Sequence, residues 1–201
     1  MQVMKVNKLL QPRIMAIVGA MGAGKTLLAS AMALRLKPFY TIIANYDLRI
    51  REYDILPENV SDLMFTAEKV KGKKLMVIDE FHIFSDSRLS GSHQNVLMSY
   101  FVTQTRKQDI QLIYTTQQFG QVDIRIRDNT DVMAIPDYDS ATDTMNVVYM
   151  VKDWFSGQFK TSHMKQYKNL KPVFDIYSTK QLIGEAMFDR LKEAEEKAKK
   201  K

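Results

Sequence analysis

The chain has 201 residues, of which 45% are hydrophobic and 26% charged. That size and balance suit one folded α/β domain with a modest appendage and exclude a disordered chain. The absence of cysteine excludes disulfides and thiolate metal sites, and the net charge of +6 permits a polyanionic partner without requiring one. The tail from Glu185 to Lys201 is nearly balanced, so most of the excess sits on the body.

Residues 1–12 read as a mixed, polar lead-in. "RIMAIVGAMGAGKTLLASAMALRL" reads as strand, glycine loop and helix, with Leu27, Leu28, Met32 and Leu36 on one helical face. Ile14 to Val18 is too short for a signal-peptide core, and no run approaches the ~20 apolar residues of a membrane span, so no transmembrane segment is expected. "FYTIIANYD" predicts a second strand, and "LPENVSDLMFTAEKVKGKK" a partly helical crossover ending at Gly72. "LMVIDE" has the continuous apolar character of a strand buried on both faces of a parallel sheet.

"FSDSRLSGSHQ" is a polar loop. Val96, Leu97, Tyr100 and Phe101 then fall at helical spacing up to about Arg106. "IQLIYTT" and "DVMAIPD" predict two more strands. "MNVVYMVKDWFSGQFKTSHM" predicts a β-hairpin with Gly157 near its turn, and "STKQLIGEAMFDRLKEAEEKAKKK" a terminal helix with i,i+4 Glu–Lys pairs. Strands alternate with helices through residue 135, which argues for a mostly parallel, wound sheet. The expected organisation is a single domain over residues 1–201, with a core at about 13–136 and a C-terminal hairpin and helix at about 140–201. Three scattered histidines, His82, His93 and His163, show no metal-ligand spacing.

"GAMGAGKT", Gly19 to Thr26, completes the pattern G-x-x-x-x-G-K-[ST] between an apolar strand and a helix. The glycines let backbone N–H groups wrap a phosphate, and the helix dipole favours the anion. The nucleotide-binding set is therefore Gly19, Ala20, Met21, Gly22, Ala23, Gly24, Lys25, Thr26 and Leu27. Lys25 is expected to reach the β- and γ-phosphates of ATP, and the Thr26 hydroxyl to ligate Mg²⁺. The plainer alternative is a glycine turn followed by a chance Lys-Thr.

In "LMVIDE", Asp79 and Glu80 stand at the strand's C-terminal end, where α/β sheets place their sites. Asp79 is expected to hold Mg²⁺ through water. Glu80 is expected to polarise an attacking water, a base that NTP hydrolysis needs. Its alternative is a solvated residue past the strand end. The strand ending "TTQQ" is expected beside this one, with Gln117 turned to the γ-phosphate as a sensor and Gln118 facing elsewhere. A merely polar strand end is the alternative.

"GAMGAGKT", "LMVIDEFHIF" and "TRKQDIQLIYTTQQFGQVDIRIRDNTDV", in that order, resemble the FtsK–HerA superfamily of P-loop ATPases, nearest its Zot-like and viral genome-packaging members. The likeness covers roughly residues 13 to 136 and weakens toward 178. It implies a RecA-like core, assembly as a homo-oligomeric ring (hexamer or pentamer) and translocation of double-stranded DNA. It also implies an arginine supplied to the bound ATP by a neighbouring subunit. Arg106 in "QTRKQ" is the first candidate. Arg125 and Arg127 are the reserves, able to share one side if their segment is extended. A solvated surface arginine is the alternative for each.

"LSGS", Leu89 to Ser92, is similar to the ABC transporter signature, but it follows the acidic strand instead of preceding it and reads as a loop entering a helix. Asn45 and Asp47 read equally as a turn or as a contact with a neighbouring subunit. The 13 methionines are scattered and read as core filling. Trp154 and Phe155 are expected to pack on the hairpin's own base, with a partner or DNA as the alternative.

The reading is an ATP-hydrolysing, DNA-translocating motor of the viral genome-packaging kind, working in the host cytoplasm or with the virion, with a capsid or membrane-vertex protein as a further partner. Its rivals are a Zot-like ATPase of virion assembly and export, a P-loop kinase of small molecules, and a non-catalytic NTP switch.

Overall fold

In the computed structural model, residues 12–54, 67–83 and 92–178 are described. The expected lead-in, most of the crossover, the "LSGS" loop and the terminal helix lie outside them.

Eight strands form one sheet among the described residues: β1 (Ile14–Val18), β2 (Thr41–Ala44), β3 (Tyr53–Asp54), β4 (Lys74–Ile78), β5 (Ile110–Thr116), β6 (Val132–Asp139), β7 (Thr144–Lys152) and β8 (Phe159–Lys168). Their order is β3-β2-β4-β5-β1-β6-β7-β8. The first six run parallel to one another. β7 and β8 are antiparallel additions, so the predicted hairpin widens the central sheet and is not a separate appendage. The mostly parallel, helix-flanked sheet is the one expected from the alternating pattern, and it is the RecA-like P-loop NTPase fold that the resemblance implies.

Alternate residues of the parallel strands enter two cores. Met15, Ile17, Leu75, Val77 and Ile113 lie under α1 (Lys25–Leu36), whose Leu27, Leu28, Met32 and Leu36 face them. Ile14, Ala16, Met76, Ile78 and Leu112 face the other way, under α2 (Ser92–Lys107) and α3 (Ile124–Asp128). Burial on both faces is why these strands read as unbroken apolar runs. In the antiparallel wing only one face is covered. Met145, Val147 and Tyr149 pack toward α1, whereas Ile135 and Met164 on the reverse face are exposed.

Two expectations fail here. Arg125 and Arg127 lie in α3, which is helical, so residues two apart point in different directions. Asp123 caps that helix by accepting from the Arg125 backbone N–H at 2.8 Å, and its other oxygen pairs with the Arg125 guanidinium at 2.9 Å. Asn129 and Thr130 close it by donating to the carbonyls of Arg125 and Ile126. Asp131 pins the start of β1, accepting from Ile14 N at 2.9 Å. The polar run after β5 is therefore mostly helix-capping chemistry.

Phe155 does not pack on the hairpin's base. It is fully exposed, and Trp154 is 56% exposed with the Lys152 ammonium over its ring at 4.9 Å. Asp153 organises the turn by accepting from Phe155 N and Lys160 Nζ, which throws both aromatics outward. The methionines divide similarly: Met15, Met76 and Met145 fill core, whereas Met21 and Met164 face solvent.

Candidate active site

Because β1, β4, β5 and β6 are parallel, their C-terminal ends share one edge of the sheet. That edge gathers Gly19–Thr26 after β1, Asp79 and Glu80 after β4, and Gln117 after β5. β5 is inserted between β1 and β4, so the strand ending in Gln117 does lie beside the strand ending in the acidic pair.

The glycine loop enters α1 through Gly24, whose φ of +87° is left-handed. No side chain caps the helix there, so its first N–H groups are left for an anion. Gly24 is also sterically required. A Cβ placed on it would come within 2.8 Å of both Tyr138 Cβ and Met145 Cε. The Lys25 ammonium donates to the Ala20 carbonyl at 3.1 Å, folded over the loop it closes.

Asp79 is buried beneath this loop. Thr26 Oγ1 lies 3.1 Å from both of its carboxylate oxygens, and Thr115 Oγ1 donates to Oδ1 at 2.5 Å. Burial pushes the Asp79 carboxyl above the ordinary range; the Thr115 hydroxyl pulls it back and the neighbouring Glu80 charge raises it further. A buried carboxylate beside a threonine hydroxyl is an all-oxygen donor set that suits a hard divalent cation.

Two residues that hold this carboxylate had no motif to announce them. Asn45, at the end of β2, makes a two-way amide clamp on the Asp79 backbone: its Nδ2 donates to the carbonyl at 2.9 Å and its Oδ1 accepts from N–H at 2.7 Å. It is neither a simple turn nor free for another subunit. Thr115, one residue before the end of β5, also accepts from Glu80 N at 2.9 Å. One hydroxyl thus ties together the backbone and side chain of the acidic pair.

Glu80 sits at φ +50°, a left-handed conformation that a non-glycine residue adopts at a cost of about 1–3 kcal/mol. The turn directs its carboxylate to 3.2 Å from His82 Nδ1, while Oε2 makes no directed hydrogen bond. The contact is one of charge and proximity when His82 is protonated. Gln117 and Gln118 are both exposed; the Gln118 carbonyl accepts from Thr116 Oγ1 at 3.1 Å.

Arg106 is far from all of this. It ends α2 at the opposite edge, beside the start of β5, where it lines a shallow cavity of about 220 Å³ with Arg13, Lys73 and Asp109. The seven residues of β5 span about 20 Å between the two edges. Arg106 therefore does not reach the phosphate loop of its own chain.

A profile of the ATPase family associated with various cellular activities (AAA) matches residues 15–136, from β1 through β6. The chain belongs to this ATPase family. A search of curated protein sequences finds no match. Among solved structures, the ATPase is similar to the N-terminal domain of zonular occludens toxin from Neisseria meningitidis. The two share 17% identity with a TM-score of 0.56, over 84% of this chain and 100% of that one. It is also similar to the genome packaging NTPase B204 of Sulfolobus turreted icosahedral virus 2 in complex with ATP-gammaS, at 12% identity and a TM-score of 0.52, over 78% and 98%. The flagellar accessory protein FlaH from Methanocaldococcus jannaschii follows at 13% and 0.50, over 79% and 85%. At these identities the likeness is one of fold. It is a P-loop ATPase fold, the kind to which the glycine loop and the acidic strand pointed.

Proposed function

We propose that this ATPase hydrolyses ATP to drive double-stranded DNA, as a ring of identical subunits in viral genome packaging. The observation that carries the hydrolysis is Glu80, turned out beside the buried Asp79 at the edge that holds the glycine loop. Lys25 would leave the Ala20 carbonyl for the β- and γ-phosphates. Thr26 and Asp79 would hold Mg²⁺, which would neutralise charge on the phosphates. Glu80 accepts the proton of the attacking water, and exposed Gln117 orients that water.

The separation of the two edges supports the ring. A cation that spreads charge from the transferring phosphoryl group has to come from elsewhere if it is Arg106, and a neighbouring subunit presenting its opposite edge supplies it. The fold likeness to a viral genome packaging NTPase supports the packaging role. Lysines of the wing, among them Lys160 and Lys168, are exposed where a polyanion could reach them. The host cytoplasm or the virion is the place of work, with a capsid or membrane-vertex protein as the further partner.

The likeness to the zonular occludens toxin domain supports a second reading, an ATPase of virion assembly or export. Displacement of a third strand from a linear triplex separates the two. A motor strips the third strand with ATP and not with a non-hydrolysable analogue. Hydrolysis without displacement at any protein concentration sinks the motor.

A further inference from the structure

The sheet order fixes which way a nucleotide would lie. Asp79, Glu80 and Gln117 stand on β4 and β5, on one side of β1. The γ-phosphate of a bound triphosphate points to them, so the nucleoside leaves the glycine loop on the other side, over β6 and β7. Tyr138 waits there at the C-terminal end of β6, with its Cβ 2.8 Å from where a Cβ on Gly24 would sit.

Tyr138 begins a graded aromatic series. Its ring centroid is 5.9 Å from that of Phe174, which stacks on Tyr177 at 5.7 Å with 28° between planes. Tyr177 meets Tyr46 edge-on at 6.5 Å. Tyr46 and Tyr177 are buried, whereas Phe174 is 37% exposed. The series is thus anchored in the core at Tyr46 and Tyr177, open at Phe174, and meets the glycine loop through Tyr138.

The supporting turn, Lys171–Ile176, is firmly tied. Asp143 accepts from Tyr138 Oη at 2.9 Å and from Lys171 N at 3.2 Å. The Ile176 carbonyl accepts from Arg49 N, and Tyr177 bridges Leu48 in the loop after β2. An exposed aromatic on a pre-formed support is a stacking platform that needs little ordering to bind.

We propose that Phe174, flanked by Tyr138, is the platform on which the base of the nucleotide stacks, and that it selects purine over pyrimidine nucleoside triphosphates. This rests on the nucleotide-hydrolysing reading above. Stacking grows with ring area but does not read base edges. Asp143 is committed to Tyr138 and Lys171 and serves the support, not the base. Adenine and guanine are therefore accepted with similar affinity.

Calorimetric titration tests this with the Mg²⁺ complexes of ATP, GTP and CTP and with inorganic tripolyphosphate, which has phosphates and no base. Phe174→Ala weakens ATP and GTP by about tenfold, leaves tripolyphosphate unchanged, and erases the advantage over CTP. Phe174→Trp restores it. Equal loss for ATP and tripolyphosphate, or no loss for ATP, overturns the platform while the phosphate site stands. A wild-type protein that binds neither ATP nor tripolyphosphate removes the nucleotide reading, and the platform with it.

Discussion

In the parallel strands β1, β4 and β5, both faces are covered, and the polar residues at their ends are bonded to one another. In the antiparallel wing, β7 buries only Met145, Val147 and Tyr149, and none of the ten residues of β8 is fully buried. The first arrangement holds a carboxylate still inside a low-dielectric edge. The second leaves Phe155, Met164 and several lysines in solvent, where a partner can meet them. On the proposed reading, chemistry sits on the central strands and contact on the wing, and substitutions in the two regions should fail in different currencies.

The largest effect is expected at Glu80. Glu80→Gln lowers kcat about 10²- to 10⁴-fold, the range a general base supplies, while ATP still binds. Phosphate release at saturating ATP measures it; an unchanged kcat removes Glu80 from the mechanism, and a non-catalytic switch would keep its biological role in that variant. Next is Gly24→Ala, which adds left-handed strain to a clash with Tyr138 and Met145 and costs about 2–4 kcal/mol in urea unfolding. An unmoved midpoint would show that the loop relaxes freely.

Thr115→Val keeps the shape and removes the hydroxyl shared by Asp79 and Glu80. It costs about 1–3 kcal/mol of stability and lowers kcat as well, because Glu80 loses its backbone anchor. A stability loss with kcat intact would make Thr115 purely structural. In the wing, Phe155→Ser shifts stability by less than about 0.5 kcal/mol and leaves basal hydrolysis alone. If the wing meets DNA, only the DNA-stimulated rate falls.

The smallest effect is a titration. Lys160 beside Asp153, with two backbone N–H donors, lowers the Asp153 carboxyl to about 2. A depressed carboxyl favours the folded turn above its unfolded value near 3.8, and that contribution is lost as pH falls through about 2. Carboxyl chemical shifts followed from pH 5 downward show a late titration in the wild type. An ordinary midpoint would mean that the turn is open in solution.

The phosphate edge was legible because its parts are short and contiguous. Gly19 to Thr26 and "LMVIDE" each carry their function within one segment, and the apolar runs announce a two-sided sheet. Asn45 and Thr115 were not legible as clamps, since each acts on Asp79 from a different strand and has no spacing that marks it. Arg125 and Arg127 misled because their alternation suits a strand, whereas Asp123 just before them caps a helix. Phe155 misled for the opposite reason: aromaticity favours burial on average, but the Asp153 turn decides its direction. The series Tyr46, Tyr138, Phe174 and Tyr177 joins three separate segments, so only the fold brings it together.

The most direct test of the motor is steady-state ATP hydrolysis by the purified protein, with and without double-stranded DNA, across protein concentration. The account predicts a rate per subunit that rises with DNA and steepens with concentration, as shared sites between subunits form. A rate indifferent to DNA at low salt and flat at every concentration would contradict it.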